Sequence, residues 1–209
     1  MTASSWASLD WEGYWSRYLP YLLMTVAVFS LGLLFGSLAT EVLTRSERLQ
    51  LAIWLKTVVN SESGRLFSAT MFRSALIANM KVLGLLYVLG ISVAGIPLVL
   101  AVLFLRGFVV GFGFAFLSQS ASGHGLSVLL ATVVAQNLFM VPIYLTAGTL
   151  ALWFSWNLIR KDGARKVAPW QALGGYTLAS ALLSVGMLWA SAVEVMGSPL
   201  LLHLEVFTR

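Results

Sequence analysis

The stretch NMKVLGLLYVLGISVAGIPLVLAVLFLRGFVVGFGFAFL, residues 79–117, decides the fold of this chain. Almost every residue in it is apolar or glycine, and the strongly polar exceptions are Asn79, Lys81 and Arg106. About 20 helical residues cross a hydrocarbon core, so a run of this length must fold back within or across the membrane. The predicted break is the Gly-Ile-Pro sequence ending at Pro97, because proline removes a helical donor. Because Arg106 is charged, we expect its side chain to contact water, a lipid headgroup or a polar partner.

The composition extends this interpretation to the whole chain. Of 209 residues, 59% are hydrophobic and only 10% are charged, whereas soluble domains average about 25% charged residues. We therefore expect one integral membrane domain over residues 1–209, with little soluble mass. The chain has no cysteine, which excludes disulfides, thiolate catalysis and cysteine-based metal sites. Its net charge of +5 is spread over loops, which fits anionic lipid headgroups better than nucleic acid.

The apolar runs predict an all-α, polytopic membrane bundle of about five transmembrane helices, with a proline-broken central hairpin and short interfacial helices. Segment 97–105 is expected to be an elbow or a half-embedded helix. The expected spans are residues 19–39, about 74–96, about 104–119, a long kinked segment 126–158, and 170–195.

Three flanking segments are less apolar. Residues 1–18 predict a short interfacial helix with an aromatic face toward lipid. Within 40–73, Thr44 and Glu47 have capping-box spacing, which predicts the start of an amphipathic helix. The favoured interpretation places that helix on the bilayer or on the protein's own spans, and the alternative is a docking face for a partner. The tail 197–209 is short and mildly amphipathic.

Glycines and polar residues inside the spans are the candidate packing and site residues. Gly107 and Gly111, like an earlier pair at Gly32 and Gly36, have the spacing that lets helices approach closely. These pairs leave open whether the packing is internal or joins copies of the chain. The remaining candidates are amides expected to face the bundle interior, a proline expected to kink the helix, and an acid near the end of the last span: Gln136, Asn137, Pro142 and Glu194.

The charges of the two loops do not agree on one orientation. Loop 159–169 has four basic residues against one acid and is expected to be cytoplasmic, which places the N-terminus inside. Loop 40–73 then lies outside, although it contains five basic residues. Splitting 126–158 at Pro142 into two short crossings would put both loops on one side, but each half is shorter than a usual span.

Two stretches resemble the stage II sporulation protein M family. They are MFRSALIANMKVLGLLYVLGISVAGIPLVLAVLFLRGFVVGFGFAFL and QNLFMVPIYLTAGTLALWFSWNLIR. The shared features are an Asn-x-Lys start, a Gly-x-Pro break, a basic residue before a Gly-Phe-Val-Val-Gly-Phe run, and Gln-Asn followed by proline. The resemblance runs from the first span to the tail.

The resemblance implies a multi-pass protein of the bacterial inner membrane that acts during engulfment. It implies a scaffold that localises two peptidoglycan hydrolases, stage II sporulation proteins D and P. It brings no catalytic motif, cofactor or metal site.

The residues also allow two other classes of function to be compared with a scaffold. A channel or transporter would use the two proline-interrupted segments and a midplane polar site near Gln136 and Asn137. Snorkelling is the simpler role for Lys81 and Arg106, and helix cross-linking is the simpler role for the amides. An intramembrane enzyme is not expected, because both histidines, His124 and His203, lie near membrane edges and no acid or nucleophile pair lies within the spans.

Overall fold

The computed structural model describes residues 11–62, 69–92, 94–120, 124–159 and 169–206. All regular structure within these ranges is helical, and five of the helices are long and apolar enough to cross a membrane. The predicted fold class, an all-α bundle of about five spans, is therefore confirmed. The helices are α1 Trp11–Ala39, α2 Arg45–Glu62, α3 Ala69–Ile91, α4 Gly95–Ser120, α5 His124–Ile159 and α6 Pro169–Val206.

The turn of the central hairpin lies before Pro97 rather than at it. Helix α3 ends at Ile91, and α4 begins at Gly95, which donates its backbone N–H to the Ser92 carbonyl at 3.0 Å. A Cβ at Gly95 would overlap the carbonyl oxygen of Leu89, so the close approach of the two helix ends requires glycine. Pro97 lies in the first turn of α4, where a missing N–H does not remove a helical hydrogen bond.

Segment 97–105 is part of a continuous helix, and the prediction of an elbow there is wrong. Helix α4 runs unbroken for 26 residues and contributes one candidate span, Gly95–Gln119. The physical reason is that lipid cannot hydrogen-bond to the backbone, so an apolar segment satisfies its own N–H and C=O groups by remaining helical.

The flanking helices are extensions of spans rather than separate pieces. Helix α1 continues from Trp11 through Pro20 into the first span, so the part of 1–18 that the structure describes is not an independent interfacial helix. Residues 1–10 lie outside the described ranges. Helix α6 continues to Val206, so the described part of the tail prolongs the last span.

Helix α5 runs through Pro142 without ending there. It has 36 residues, of which Asn137–Ile159 form the candidate span. The hydroxyl of Thr146 donates to the Pro142 carbonyl oxygen at 2.7 Å. The helix is continuous through Pro142, and the structure has one candidate span in this region instead of two short ones.

The bundle has two distinct ends. At one, here called the α2 end, Arg48 Nη1 donates to Gln119 Oε1 at 3.0 Å, which joins the start of α2 to the end of α4. At the opposite end the rings of Tyr18 and Trp153 lie 5.0 Å apart, which joins the start of the first span to the last turns of α5. The start of the first span and the connection from α5 to α6 therefore share one end of the bundle.

Apolar side chains from α3, α4, α5 and α6 fill the centre. The packed pairs also include α1 with α4 and α1 with α5. Burial of this kind provides shape-specific contact in a lipid environment, where apolar burial by itself drives little association. The most buried members of this core are Leu86, Val99, Leu103, Ala151, Leu152 and Met187.

Candidate functional site

A chain of buried hydrogen bonds crosses the interior of the bundle. The hydroxyl of Tyr144 donates to Asn79 Oδ1 at 2.9 Å. The amide of Asn79 donates through Nδ2 to Ser191 Oγ at 3.2 Å. All three side chains are buried, so these bonds are shielded from competing water. The chain joins α3, α5 and α6, and the three residues are here called the polar cluster.

Arg106 brings α4 to the same place. Its guanidinium carbon lies 4.6 Å from the centroid of the Tyr144 ring, which is cation–π geometry. The side chain is half-buried, and its helix position is near the middle of the span Gly95–Gln119. The sequence predicted a polar partner, water or a headgroup for this residue, and the structure places an aromatic face against it.

The chemistry of the polar cluster is that of donors and acceptors satisfying each other. Tyr144 donates to one end of the Asn79 amide, and the other end donates to Ser191. Among the described residues, no group of three or more His, Asp or Glu side chains forms a possible metal site. The hydrogen bonds of the polar cluster fix the rotation of α3, α5 and α6 relative to one another. Arg106 adds a positive charge beside them.

Lys81 lies away from the polar cluster although it is only two residues from Asn79. Two residues along a helix are about 200° apart, so the two side chains point to opposite faces of α3. Asn79 is buried and Lys81 is exposed. The structure therefore separates two candidate residues that the sequence placed together.

The other candidate residues have diverse surroundings. Pro97 and Pro142 are exposed, and Asn137 is half-buried. Gln136 and Glu194 lie in α5 and α6, but their side chains are outside the described part of the structure, so the predicted inward orientation of Gln136 stays a prediction.

The two glycine pairs pack against each other. A Cβ at Gly107 or Gly111 would overlap the α1 carbonyl oxygens of Phe29 or Leu33 respectively. In the same way, Gly32 and Gly36 lie against the carbonyl oxygens of residues 104 and 108 in α4. The contacts advance along both helices together, so α1 and α4 are parallel neighbours with a contact seam in which each glycine lies against a backbone carbonyl of the other helix.

Sequence reasoning missed the hydroxyl partners. Thr25 and Thr149 are buried, and their hydroxyl oxygens lie 3.0 Å apart, which ties α1 to α5. Tyr144 and Ser191 complete the polar cluster. Hydroxyl residues are common in membrane helices and can bond to their own backbone, as Thr149 also does to the carbonyl of Leu145, so a sequence gives little signal for them.

Helix α2 stands apart from the spans. It belongs to none of the extensively packed helix pairs in the described chain, and its first turn is held by Arg48, which donates to the Thr40 carbonyl at 2.7 Å as well as to Gln119. Thr44 and Glu47 form the predicted capping box: the Thr44 N–H donates to Glu47 Oε2 at 2.9 Å, and the Glu47 N–H to Thr44 Oγ1 at 3.4 Å. That prediction is confirmed.

The exposed side of α2 is apolar as well as charged. A groove of about 740 Å³ separates it from α4, with Leu51 and Trp54 on one wall and Phe112 on the other. Arg45 and Glu47 are exposed beside these apolar groups. The exposed large apolar residues of α2 are Leu49, Ile53 and Trp54, and Val42 is exposed just before the helix. We call these four residues together with Arg45 and Glu47 the α2 surface.

The core of the described helices is mainly apolar, which does not favour the transport alternative. That alternative places polar lining residues between the helices, whereas Leu86, Val99 and Met187 are almost completely buried in the core. Every fully buried side-chain nitrogen or oxygen in the described residues has a hydrogen-bond partner. The hydrogen bonds of Asn79 and of Thr25 with Thr149 join neighbouring helices to each other.

Comparison with known proteins gives one family. The family model for Stage II sporulation protein M matches residues 25–199, which is most of the chain and includes the polar cluster, both glycine pairs and α2. Comparisons with curated proteins and with solved structures found no match.

Proposed function

Since the chain belongs to the stage II sporulation protein M family, we propose that it is a scaffold of the bacterial inner membrane that localises peptidoglycan hydrolases during engulfment. The hydrolases expected from the family are stage II sporulation proteins D and P. In this role the five-span bundle anchors the protein, and segments outside the spans bind the enzymes.

The observation that carries the proposal is the position of α2. A helix that packs little against its own bundle and exposes large apolar side chains has surface available for a partner. Its start is nevertheless fixed, because Arg48 and the capping box tie it to the end of α1 and to Gln119. A firmly attached helix with a free outer surface suits recruitment, since little ordering is needed on binding.

The test is a pair of substitutions on the α2 surface. Arg45→Glu reverses an exposed charge, and Trp54→Ala removes an exposed aromatic group of the kind that anchors interfaces. We expect the double variant to insert normally and to retain less than about a tenth of either hydrolase on co-purification from sporulating cells, because loss of one such anchor typically lowers affinity by about tenfold or more.

The matched control is Lys161→Glu, which makes the same charge reversal in the loop between α5 and α6, at the opposite end of the bundle. This variant should keep both hydrolases. Equal recovery of the enzymes with the α2 double variant and with the parent would show that α2 is not the docking element.

A further inference from the structure

Lys81 carries a charge at the middle of a span and on its outside. It lies 9 residues after Phe72 and 10 before Ile91 in the candidate span of α3, which places it about 14 Å from either end. The side chain is exposed, and among the described residues it has no hydrogen bond or ion pair. A charged group in this position is costly in lipid unless another group compensates it.

The surface around Lys81 is shaped for a close neighbour. A Cβ at Gly84 would have nothing within 4 Å, so this glycine opens outward, and Ala78 is exposed on the adjacent turn. Small residues beside a polar group let a second helix backbone come near it. We call this the Lys81 face of α3; its members are Ile77, Ala78, Lys81, Gly84, Leu85 and Val88, all of them exposed.

The described residues of the five candidate spans supply no compensating carboxylate. They include no Asp or Glu, whereas Lys81 and Arg106 both lie near the middle of a span, and Glu194 follows the described part of the last span by two residues. A second copy of the chain has the same deficit, so it would bring a cation to the Lys81 face rather than a carboxylate. The eight acids are Asp10, Glu12, Glu41, Glu47, Glu62, Asp162, Glu194 and Glu205.

Lipid headgroups are also a poor match for this position. A lysine side chain extends about 6 Å, which is less than half the distance from Lys81 to either end of the span. Arg73 is the other basic residue in the same span and lies eight residues nearer to the α2 end. Its side chain can reach the lipid headgroups at that end. The two cations on α3 therefore have different depths and need different counter-charges.

We propose that the Lys81 face binds a transmembrane helix of a partner protein that carries an aspartate or glutamate near its middle. This inference rests on the proposed scaffold function and specifies how a membrane-anchored partner is held. The carboxylate pairs with the Lys81 ammonium in a low-dielectric environment, and the small residues around Lys81 allow the two helices to pack closely.

The experiment uses a photo-crosslinking amino acid at Val88, on the Lys81 face, in the full chain in native membranes. We expect a protein adduct whose partner has a carboxylate within its transmembrane helix. In Lys81→Met the yield should fall by about tenfold or more, because the partner carboxylate would then be unpaired. Lys81→Arg should keep most of the adduct. Exchanging the charges, with Lys81→Glu and the partner carboxylate changed to lysine, should restore it.

A second probe position controls for location. The same crosslinker at Leu34, which is exposed on α1, should not give this adduct, since α1 and α3 are not among the extensively packed helix pairs of the described chain. A self-adduct of twice 22.7 kDa, or adducts with lipid alone, would overturn the inference. So would an adduct that Glu194→Gln abolishes as fully as Lys81→Met does, because the counter-charge would then be internal.

The two proposals fail in different ways. If Lys81→Met still co-purifies with the hydrolases while the Val88 adduct was never formed, the scaffold remains and this contact is wrong. If the adduct forms as expected but its partner is unrelated to the cell wall, the contact stands and the proposed function is wrong.

Discussion

Tyr144 contacts two other helices through two parts of its side chain. It donates to Asn79 on α3, and its ring receives the guanidinium of Arg106 from α4. Asn79 passes the connection to Ser191 on α6. One tyrosine on α5 thus contributes to the placement of three other helices, through two different kinds of interaction.

Replacing this tyrosine tests the hydroxyl separately from the ring. Tyr144→Phe keeps the aromatic face for Arg106 and leaves Asn79 Oδ1 without this donor. We expect a loss of about 1 kcal/mol in the free energy of unfolding, the usual size of a hydrogen bond between membrane helices. The measurement is a denaturation curve in detergent micelles.

The matched control is Tyr87→Phe. The Tyr87 hydroxyl lies 2.9 Å from the Thr177 hydroxyl, but at an exposed position. Its loss should change the unfolding free energy less than the loss at Tyr144. If both variants are equally stable, burial of the polar cluster gives it no special role.

At the scale of the element, the pairing of α1 with α4 depends on glycine. Gly111→Ala puts a methyl group onto the Leu33 carbonyl, and backbone cannot move aside as a flexible side chain can. We expect a destabilisation of about 1–3 kcal/mol, typical of overpacking, measured by the same denaturation curves.

Gly113→Ala is the control for that substitution. It lies two residues further along the same helix, and a Cβ there would have nothing within 4 Å. Alanine favours helix over glycine, so this variant should be unchanged or more stable by up to about 1 kcal/mol. A loss of stability at residue 113 equal to that at residue 111 would argue against the seam.

The start of α2 should respond to acid. Hydrogen bonds from the backbone N–H and the hydroxyl of Thr44 lower the pKa of Glu47 below its ordinary value of 4.5. Because the folded-state pKa is the lower one, this stabilisation is complete above about pH 4.5 and is lost as the pH falls through the folded value.

Hydrogen exchange of the α2 amides measures this effect. Corrected for intrinsic rates, protection of the Glu47 and Arg48 amides should decrease as the pH falls below about 4.5. In Glu47→Gln the capping geometry is available without titration, so its protection should not change with pH in that range. The same acid response in both variants would assign it to another group.

At the scale of the whole molecule, the five spans place α2 on one side of the membrane and the connection from α5 to α6 on the other. Loop 159–169 is expected inside from its basic residues, so α2 is expected outside, where wall hydrolases act. The five basic residues of segment 40–73 oppose that orientation, and the sidedness therefore needs a direct measurement.

Cysteine labelling provides it, since the chain has no cysteine of its own. Ser61→Cys should react with an impermeant thiol reagent in intact cells. Ala164→Cys, in the loop between α5 and α6, should react only after lysis. The reverse pattern would put α2 in the cytoplasm and remove the basis for its contact with wall enzymes.

Sequence by itself determined the number of spans and the cap of α2. Both are local properties: apolar length sets whether a helix can cross the bilayer, and a capping box involves residues only three positions apart. It did not determine where the central hairpin turns, because Pro97 is compatible with the first turn of a helix as well as with a break. The close contact of Gly95 with the Leu89 carbonyl oxygen sets the position of that turn.

Only the tertiary structure decided which groups meet. Asn79 and Tyr144 are 65 residues apart, and Asn79 and Ser191 are 112 apart. It also made the two glycine pairs partners of each other, and it turned Lys81 outward while Asn79 turned inward. The physical reason is that such contacts depend on the rotation and tilt of each helix, which are set by the packing of all neighbouring helices together.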